Sequence, residues 1–182
     1  MRILVALIVA VVLAAGAGFG WHRRPGSGPV VRVDNRFEFT VRAPYATVAP
    51  LFGAWAERAW AGGWEPHFLF PAPAQDQEGM VFQVAHGGHT GTWVNTMFDL
   101  AQGKVQYVYL VPGVQVAVID IELSRQGETA TTARVRYRRT ALAPRHNARI
   151  LAQGRSDAAN GPHWAAEIEA GLRRFRCDPT RS

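Results

Sequence analysis

Apolar and polar residues first alternate regularly in RFEFTVRAP, residues 36–44. Phe37, Phe39 and Val41 share one parity against Arg36, Glu38, Thr40 and Arg42, which predicts a half-buried strand ended by Pro44. The period then changes. In YATVAPLFGAWAERAW (45–60), Val48, Leu51, Phe52, Trp55, Ala59 and Trp60 recur at helical spacing, and Pro50 and Gly53 split the segment into one helix or two short ones. Gly62-Gly63 stop it. Strand-like runs follow at 64–70, 79–86, 90–100, 104–111, 114–123 and 129–142, each closed by a turn signal. The short connections predict antiparallel hairpins in a meander, and no helix-length crossover is present to build a parallel sheet. Near the end Trp164, Ile168, Leu172 and Phe175 recur on one helical face, with Glu169 four residues before Arg173. Asn160-Gly161-Pro162 marks the start of this long helix, and a shorter helix is expected over 147–153.

Strand parity predicts what faces inward. Met80, Phe82, Val84 and His86 share one face, as do Val105, Tyr107, Tyr109 and Val111. Val135 and Tyr137 oppose Arg134, Arg136 and Arg138. The 114–123 run is mixed: Val114, Val116 and Val118 lie on one parity, Ile119, Ile121 and Leu123 on the other, which predicts a bulge or burial on both faces. Asp120 and Glu122 fall outward beside the three arginines, as a cross-strand ladder of opposite charge would. The apolar face of the meander and the stripe of the last helix must cover each other.

The N-terminus has a different pattern. After Arg2 the chain is apolar from Ile3 to Trp21 and carries small residues at Ala14–Ala17. Residues 1–22 are therefore expected to be a secretory signal peptide or an uncleaved membrane anchor, and both place the following domain outside the cytoplasm, in the periplasm or secreted. Residues 23–35, beginning RRPGSGP, are expected to be a linker, and 177–182 a tail.

Composition narrows the chemistry. Apolar residues make up 48% and charged residues 19%, so one folded domain with a real core is expected. The net charge of +6 comes almost entirely from scattered arginines, Lys104 being the lone lysine, and no basic stripe with interleaved aromatics suggests nucleic acid. Cys177 is the single cysteine, which excludes an intrachain disulfide and a cysteine-based zinc cluster. HGGHTGTW (86–93) brings His86 and His89 together, but no third ligand stands at zinc-site spacing, and no metal or cofactor is expected. The segment reads as a hairpin in which Gly87-Gly88 turn the chain, His86 points inward at the end of its strand and His89 is solvated. There is no G-x-S-x-G, Walker or dinucleotide motif.

The order strand, short helices, six strands, long helix, together with certain motifs, is similar to that of the START-related SRPBCC superfamily, which includes polyketide cyclases/dehydrases. The motifs are Arg58-x-Trp60, Gly63-Trp64-x-Pro66, Phe68-Leu69, Glu78-Gly79-Met80-Val81-Phe82, Thr92-Trp93-Val94 and Arg138-Arg139-Thr140-Ala141-Leu142. The resemblance covers 36–176. It implies an α+β helix-grip fold, a curved antiparallel sheet of about seven strands around a long C-terminal helix, with a START-like ligand-binding cavity between them. The chain departs from the pattern at Gly154, Asn160, Gly161 and Pro162, which break the expected C-terminal helix.

In such a cavity Trp64, Phe68, Phe70, Phe82, His86, Tyr107, Tyr109, Tyr137 and Trp164 are the candidate ligand contacts, with Arg58 at the mouth or stacked on the surface. The expected partner is a hydrophobic small molecule or lipid, held by a non-catalytic carrier or sensor. The alternatives are a cyclase- or dehydratase-like enzyme using His86 or His163 with Tyr107 or Tyr109, and a membrane-tethered interaction or stress module.

Overall fold

A computed structural model describes residues 28–86 and 88–177; for His86 and for 175–177 it describes the backbone alone. The apolar N-terminal run and the tail lie outside the described residues. Seven strands form one antiparallel sheet: β1 (Arg32–Val41), β2 (His67–Phe70), β3 (Val81–His86), β4 (His89–Asp99), β5 (Lys104–Val111), β6 (Gln115–Gln126) and β7 (Ala130–Ala141). Their spatial order is β1-β7-β6-β5-β4-β3-β2. The meander from β2 to β7 is the one the turn signals predict, and β1 closes on β7, with Phe37 opposite Val135 and Phe39 opposite Ala133. The segment 45–60 forms two four-residue helices, α1 (Tyr45–Val48) and α2 (Ala54–Glu57), with a 3-10 turn at Ala49–Phe52 between them. Pro50 and Gly53 sit at those joints, where each breaks the helical hydrogen-bond series.

Part of the 23–35 segment expected as linker is strand. Arg32–Asn35 already belong to β1, because Val33 and Asn35 continue the inward parity of Phe37. Asn147 also holds the approach to the strand, its Oδ1 accepting from the Val31 N–H at 3.0 Å and its Nδ2 donating to the Pro29 carbonyl at 3.0 Å. After β7 come α3 (Asn147–Ala158) and α4 (Gly161–Cys177). The helix is broken at Ala159-Asn160 as Asn160-Gly161-Pro162 predicts, but Gly154 breaks nothing and α3 runs beyond 153. At Gly154 the helix lies so close to β1 that a Cβ would stand 2.8 Å from Asn35 Nδ2 and 3.1 Å from Val33 Cγ2. The glycine is there for proximity, not for a bend.

The core fills the concave side. Phe37, Phe39, Val41, Phe52, Met80, Phe82, Val105, Ile119, Ile121 and Val135 are buried, and Ile168 of α4 is fully enclosed among them. The mixed run in β6 resolves onto one parity. Gln115, Ala117, Ile119, Ile121 and Leu123 are buried, while Val116 and Val118 are half-buried on the outer face. Its register with both neighbours is unbroken, so of the two expected alternatives, a bulge or burial on both faces, the bulge is absent. Bulges fall instead in β2, between Phe68 and Phe70, and in β4, between Asn95 and Met97.

The outward charge ladder forms, and it reaches three strands. Arg136 pairs with Asp34, Arg134 with Glu38, and Arg138 with Asp120 at 2.6 Å. Exposed pairs of this kind are each worth about 0.2–1 kcal/mol. All of these side chains but Asp34 line a hollow of about 770 Å³ on the outer face of the sheet, where each of the three arginines already has a carboxylate partner.

One arginine takes the inward parity. Arg139 forms a bidentate pair with Asp157 of α3, at 2.6 and 2.9 Å, and its guanidinium lies 4.6 Å over the Tyr137 ring. Both partners are buried. Removing one member of such a pair strands a charge in low dielectric, whereas replacing both with apolar residues costs little. Asp157→Ala is expected to destabilise the fold by about 3–5 kcal/mol. Arg139→Met with Asp157→Leu should recover most of that loss. Urea unfolding of the three proteins checks it, and a double variant no better than the single one would refute the account.

Candidate functional site

The site starts at α2, a helix too short to stand alone. Its exposed N–H groups are satisfied from a distance: the Asp76 carboxylate accepts from the Trp55 N–H at 2.7 Å and from the Ala56 N–H at 3.0 Å. Gly53 leaves room for this, since a Cβ there would overlap the Asp76 side chain. The cap fixes α2 so that its last residue, Glu57, turns inward. Beyond it Trp60 donates its indole N–H to the Leu51 carbonyl at 2.8 Å, and Trp64 donates to the Ala54 carbonyl at 2.9 Å. These two bonds fold the 57–64 segment back over α2 and set both indoles against the sheet and α4.

Between that segment, the sheet and α4 lies a cavity of about 200 Å³. Glu57, Trp60, Ala61, Gly62 and Trp64 form one side, Phe82, Trp93, Tyr107, Ile119, Ile121 and Tyr137 come from the sheet, and Trp164 and Glu167 from α4. The rings pack edge to face: Trp60 on Trp164 with centroids 5.7 Å apart, Trp64 on Trp93 at 5.3 Å, Phe82 on Tyr107 at 6.1 Å. Tyr107 is pinned, its hydroxyl donating to the Phe52 carbonyl at 2.8 Å.

Of the ten candidate contacts, Trp64, Phe82, Tyr107, Tyr137 and Trp164 line this cavity. Phe68 stands behind the wall, stacked on Phe82 at 5.6 Å. Phe70 does not belong to the site: the bulge in β2 reverses its face and leaves it 53% exposed. Tyr109 lies one layer out, stacked on Trp93 at 4.4 Å, with its ring over Gly91 where a side chain would collide. Arg58 is the stacked surface arginine, its guanidinium 3.1 Å from the Trp55 ring centroid, and it does not reach the cavity. His86 opens the hairpin opposite His89, but its side chain lies outside the described residues. His89 is exposed as expected, although it is the first residue of β4 and not part of the turn. His163 is 65% exposed and sits 3.7 Å from Glu167. Among the described residues no three His, Cys, Asp or Glu gather as a metal site would require.

The sequence reading missed Glu57, Trp60, Trp93, Ile119, Ile121 and Glu167. Trp93 was legible, since β4 places it opposite Phe82 on one side and Tyr109 on the other. Glu57 was not: in a four-residue helix flanked by Arg58, an acidic residue reads as surface.

Glu57 is the unusual group. It is 9% exposed, and no hydrogen bond or ion pair with another described residue holds its carboxyl. Burial, and then the nearby Asp76 carboxylate, push its pKa well above the ordinary carboxyl value. Burial likewise raises Asp76, against the two backbone N–H bonds that lower it. Tyr107 is raised by burial and then by Glu57, and Tyr137 by burial. Trp93 Nε1 and both amide atoms of Asn95 are enclosed with no hydrogen-bond partner among the described residues.

A group whose folded pKa is raised contributes stability that is full below its unfolded pKa, 4.5 for Glu57, and is lost as pH rises through the folded value. Glu57→Gln removes that titration. The thermal midpoint of the parent is expected to fall relative to Glu57→Gln as pH is raised from about 4 to about 8, on either side of the reference carboxyl range. Calorimetry across that range reads it, and a pH-independent difference would count against a raised Glu57.

No protein-family model matches the chain. No curated protein sequence matches it either. Solved structures do. Norcoclaurine synthase from Thalictrum flavum, in complex with dopamine and hydroxybenzaldehyde, is 10% identical over 81% of this chain and 88% of its own, with a TM-score of 0.56. The ZhuI aromatase/cyclase from Streptomyces sp. R1128 is 14% identical over 80% and 96%, with a TM-score of 0.57. The Mll3558 protein from Rhizobium loti is 17% identical over 79% and 99%, with a TM-score of 0.55. At these identities the likeness is one of fold. The curved seven-stranded sheet, the short helices after β1 and the long α4 that closes the sheet make this chain a helix-grip fold.

Proposed function

We propose that the protein binds a small hydrophobic molecule, about the size of a single substituted ring, as a carrier or sensor outside the cytoplasm. The observation that carries this reading is the 200 Å³ aromatic cavity between sheet and α4. An apolar cavity of about 150 Å³ takes up benzene, so this one suits a ring with a short substituent and is small for a lipid tail. The extracytoplasmic location rests on the apolar run Ile3–Trp21. The solved structures add a coarse analogy: one was determined with dopamine and hydroxybenzaldehyde, another is an aromatase/cyclase. An enzyme working through His163 gains no support, because that imidazole stands outside the cavity.

Four tryptophans line the cavity, so an occupant should change the intrinsic fluorescence. Toluene is the probe, chosen because it has no indole emission. It is expected to shift or quench tryptophan emission saturably. Ile119→Phe, which fills the sheet side of the cavity, should weaken binding at least about tenfold, or about 1.4 kcal/mol. Parent protein that fails to respond, or a filled variant that responds equally, would refute the reading.

A further inference from the structure

The lining of the cavity is asymmetric in charge. Among the described residues it contains two carboxyl side chains, Glu57 and Glu167, and no lysine, arginine or histidine. Its remaining side chains are mainly aromatic, with Trp60, Trp64, Trp93 and Trp164 disposed around the space. The face of an indole carries negative charge density, and tryptophan is the best aromatic partner for a desolvated cation. A carboxyl group buried there without a partner is unfavourable for an empty or purely apolar site.

Three ligand types meet this lining differently. An anion finds two carboxyls and the negative faces of the rings. A neutral hydrocarbon finds the rings but leaves Glu57 unpartnered. An ammonium cation uses both features, with its charge beside Glu57 and its alkyl groups against the indoles. Resting on the cavity reading above, we propose that the natural ligand is a small organic cation, an ammonium held by the Glu57 carboxylate within the cage of Trp60, Trp64, Trp93 and Trp164.

The exchange is balanced. Burial, and then the Asp76 carboxylate behind α2, favour the protonated form of Glu57 in the empty cavity, and the other ionisable side chains of the described lining are Tyr107 on β5, Tyr137 on β7 and Glu167 on α4. The incoming cation takes the place of that proton, which leaves to solvent. Glu167 is half-exposed, lines the cavity and lies 3.7 Å from His163.

Choline and its neutral isostere 3,3-dimethylbutan-1-ol differ in charge and hardly in shape. Titration calorimetry of the full chain at pH 7, in two buffers of different ionisation enthalpy, compares them. Choline is expected to bind at least tenfold tighter than the alcohol and to release protons on binding, while the alcohol releases none. Glu57→Gln should weaken choline at least tenfold, abolish the proton release and leave the alcohol unchanged. Equal binding of the two, unaffected by Glu57→Gln, overturns the cation assignment and leaves the cavity reading standing. Binding of neither overturns the assignment as well, and if toluene also fails to bind, the cavity reading falls with it.

Discussion

The central constraint is one of fit between a concave sheet and a cylinder. Seven strands curl around one helix, and the helix offers a single stripe to fill a surface wider than itself. Ile168 of α4 meets the deepest part and is wholly enclosed. To one side, the space between α4 and the sheet is closed by the chain that follows α2, using large rings where a helix would have used its backbone. Rings packed edge to face do not tile that space completely, and the residual volume is the cavity. The positions of α1, α2 and the 57–64 segment are all consequences of having to cover that side.

The electrostatics follow from the same geometry. A segment short enough to act as a lid has no room for self-sufficient helices, so the ends of α2 must be satisfied from elsewhere. Asp76 does this, and brings a carboxylate close to Glu57. The acid of the cavity is therefore perturbed by the group that positions it. A different solution serves the other end of the sheet, where Arg139 and Asp157 bring both charges inside and neutralise them at short range. Of the two buried carboxyl groups among the described residues, Asp157 has a counter-charge and Glu57 has none, and only Glu57 faces the cavity.

Much of the architecture was legible because antiparallel strands with one wet face carry their pairing in parity and turn residues. β5 alternated as expected at Val105, Tyr107 and Val111, and β7 from Arg134 to Ala141, and the break before α4 stood in Asn160-Gly161-Pro162. Legibility failed where a local irregularity changed the count. The bulge between Phe68 and Phe70 moves Phe70 from candidate wall to solvent. In β6, Val116 and Val118 looked like core because hydrophobicity alone does not report which face is covered. Glu57 was hidden for a deeper reason: its burial depends on Asp76, about twenty residues later, which no local pattern connects to it.

The outer strand β2 has a bearing on how the molecule behaves in a crowd. It is four residues long, interrupted by its bulge and followed at once by Pro71, with Leu69 and Phe70 both exposed. An apolar edge of that kind would ordinarily invite a second chain to add itself to the sheet. Here it offers few free N–H and C=O groups, unevenly spaced, and the next position has no N–H at all. Oily side chains are thus displayed on an edge that gives a neighbouring strand no ladder to extend, which guards against sheet-to-sheet aggregation without a single added charge.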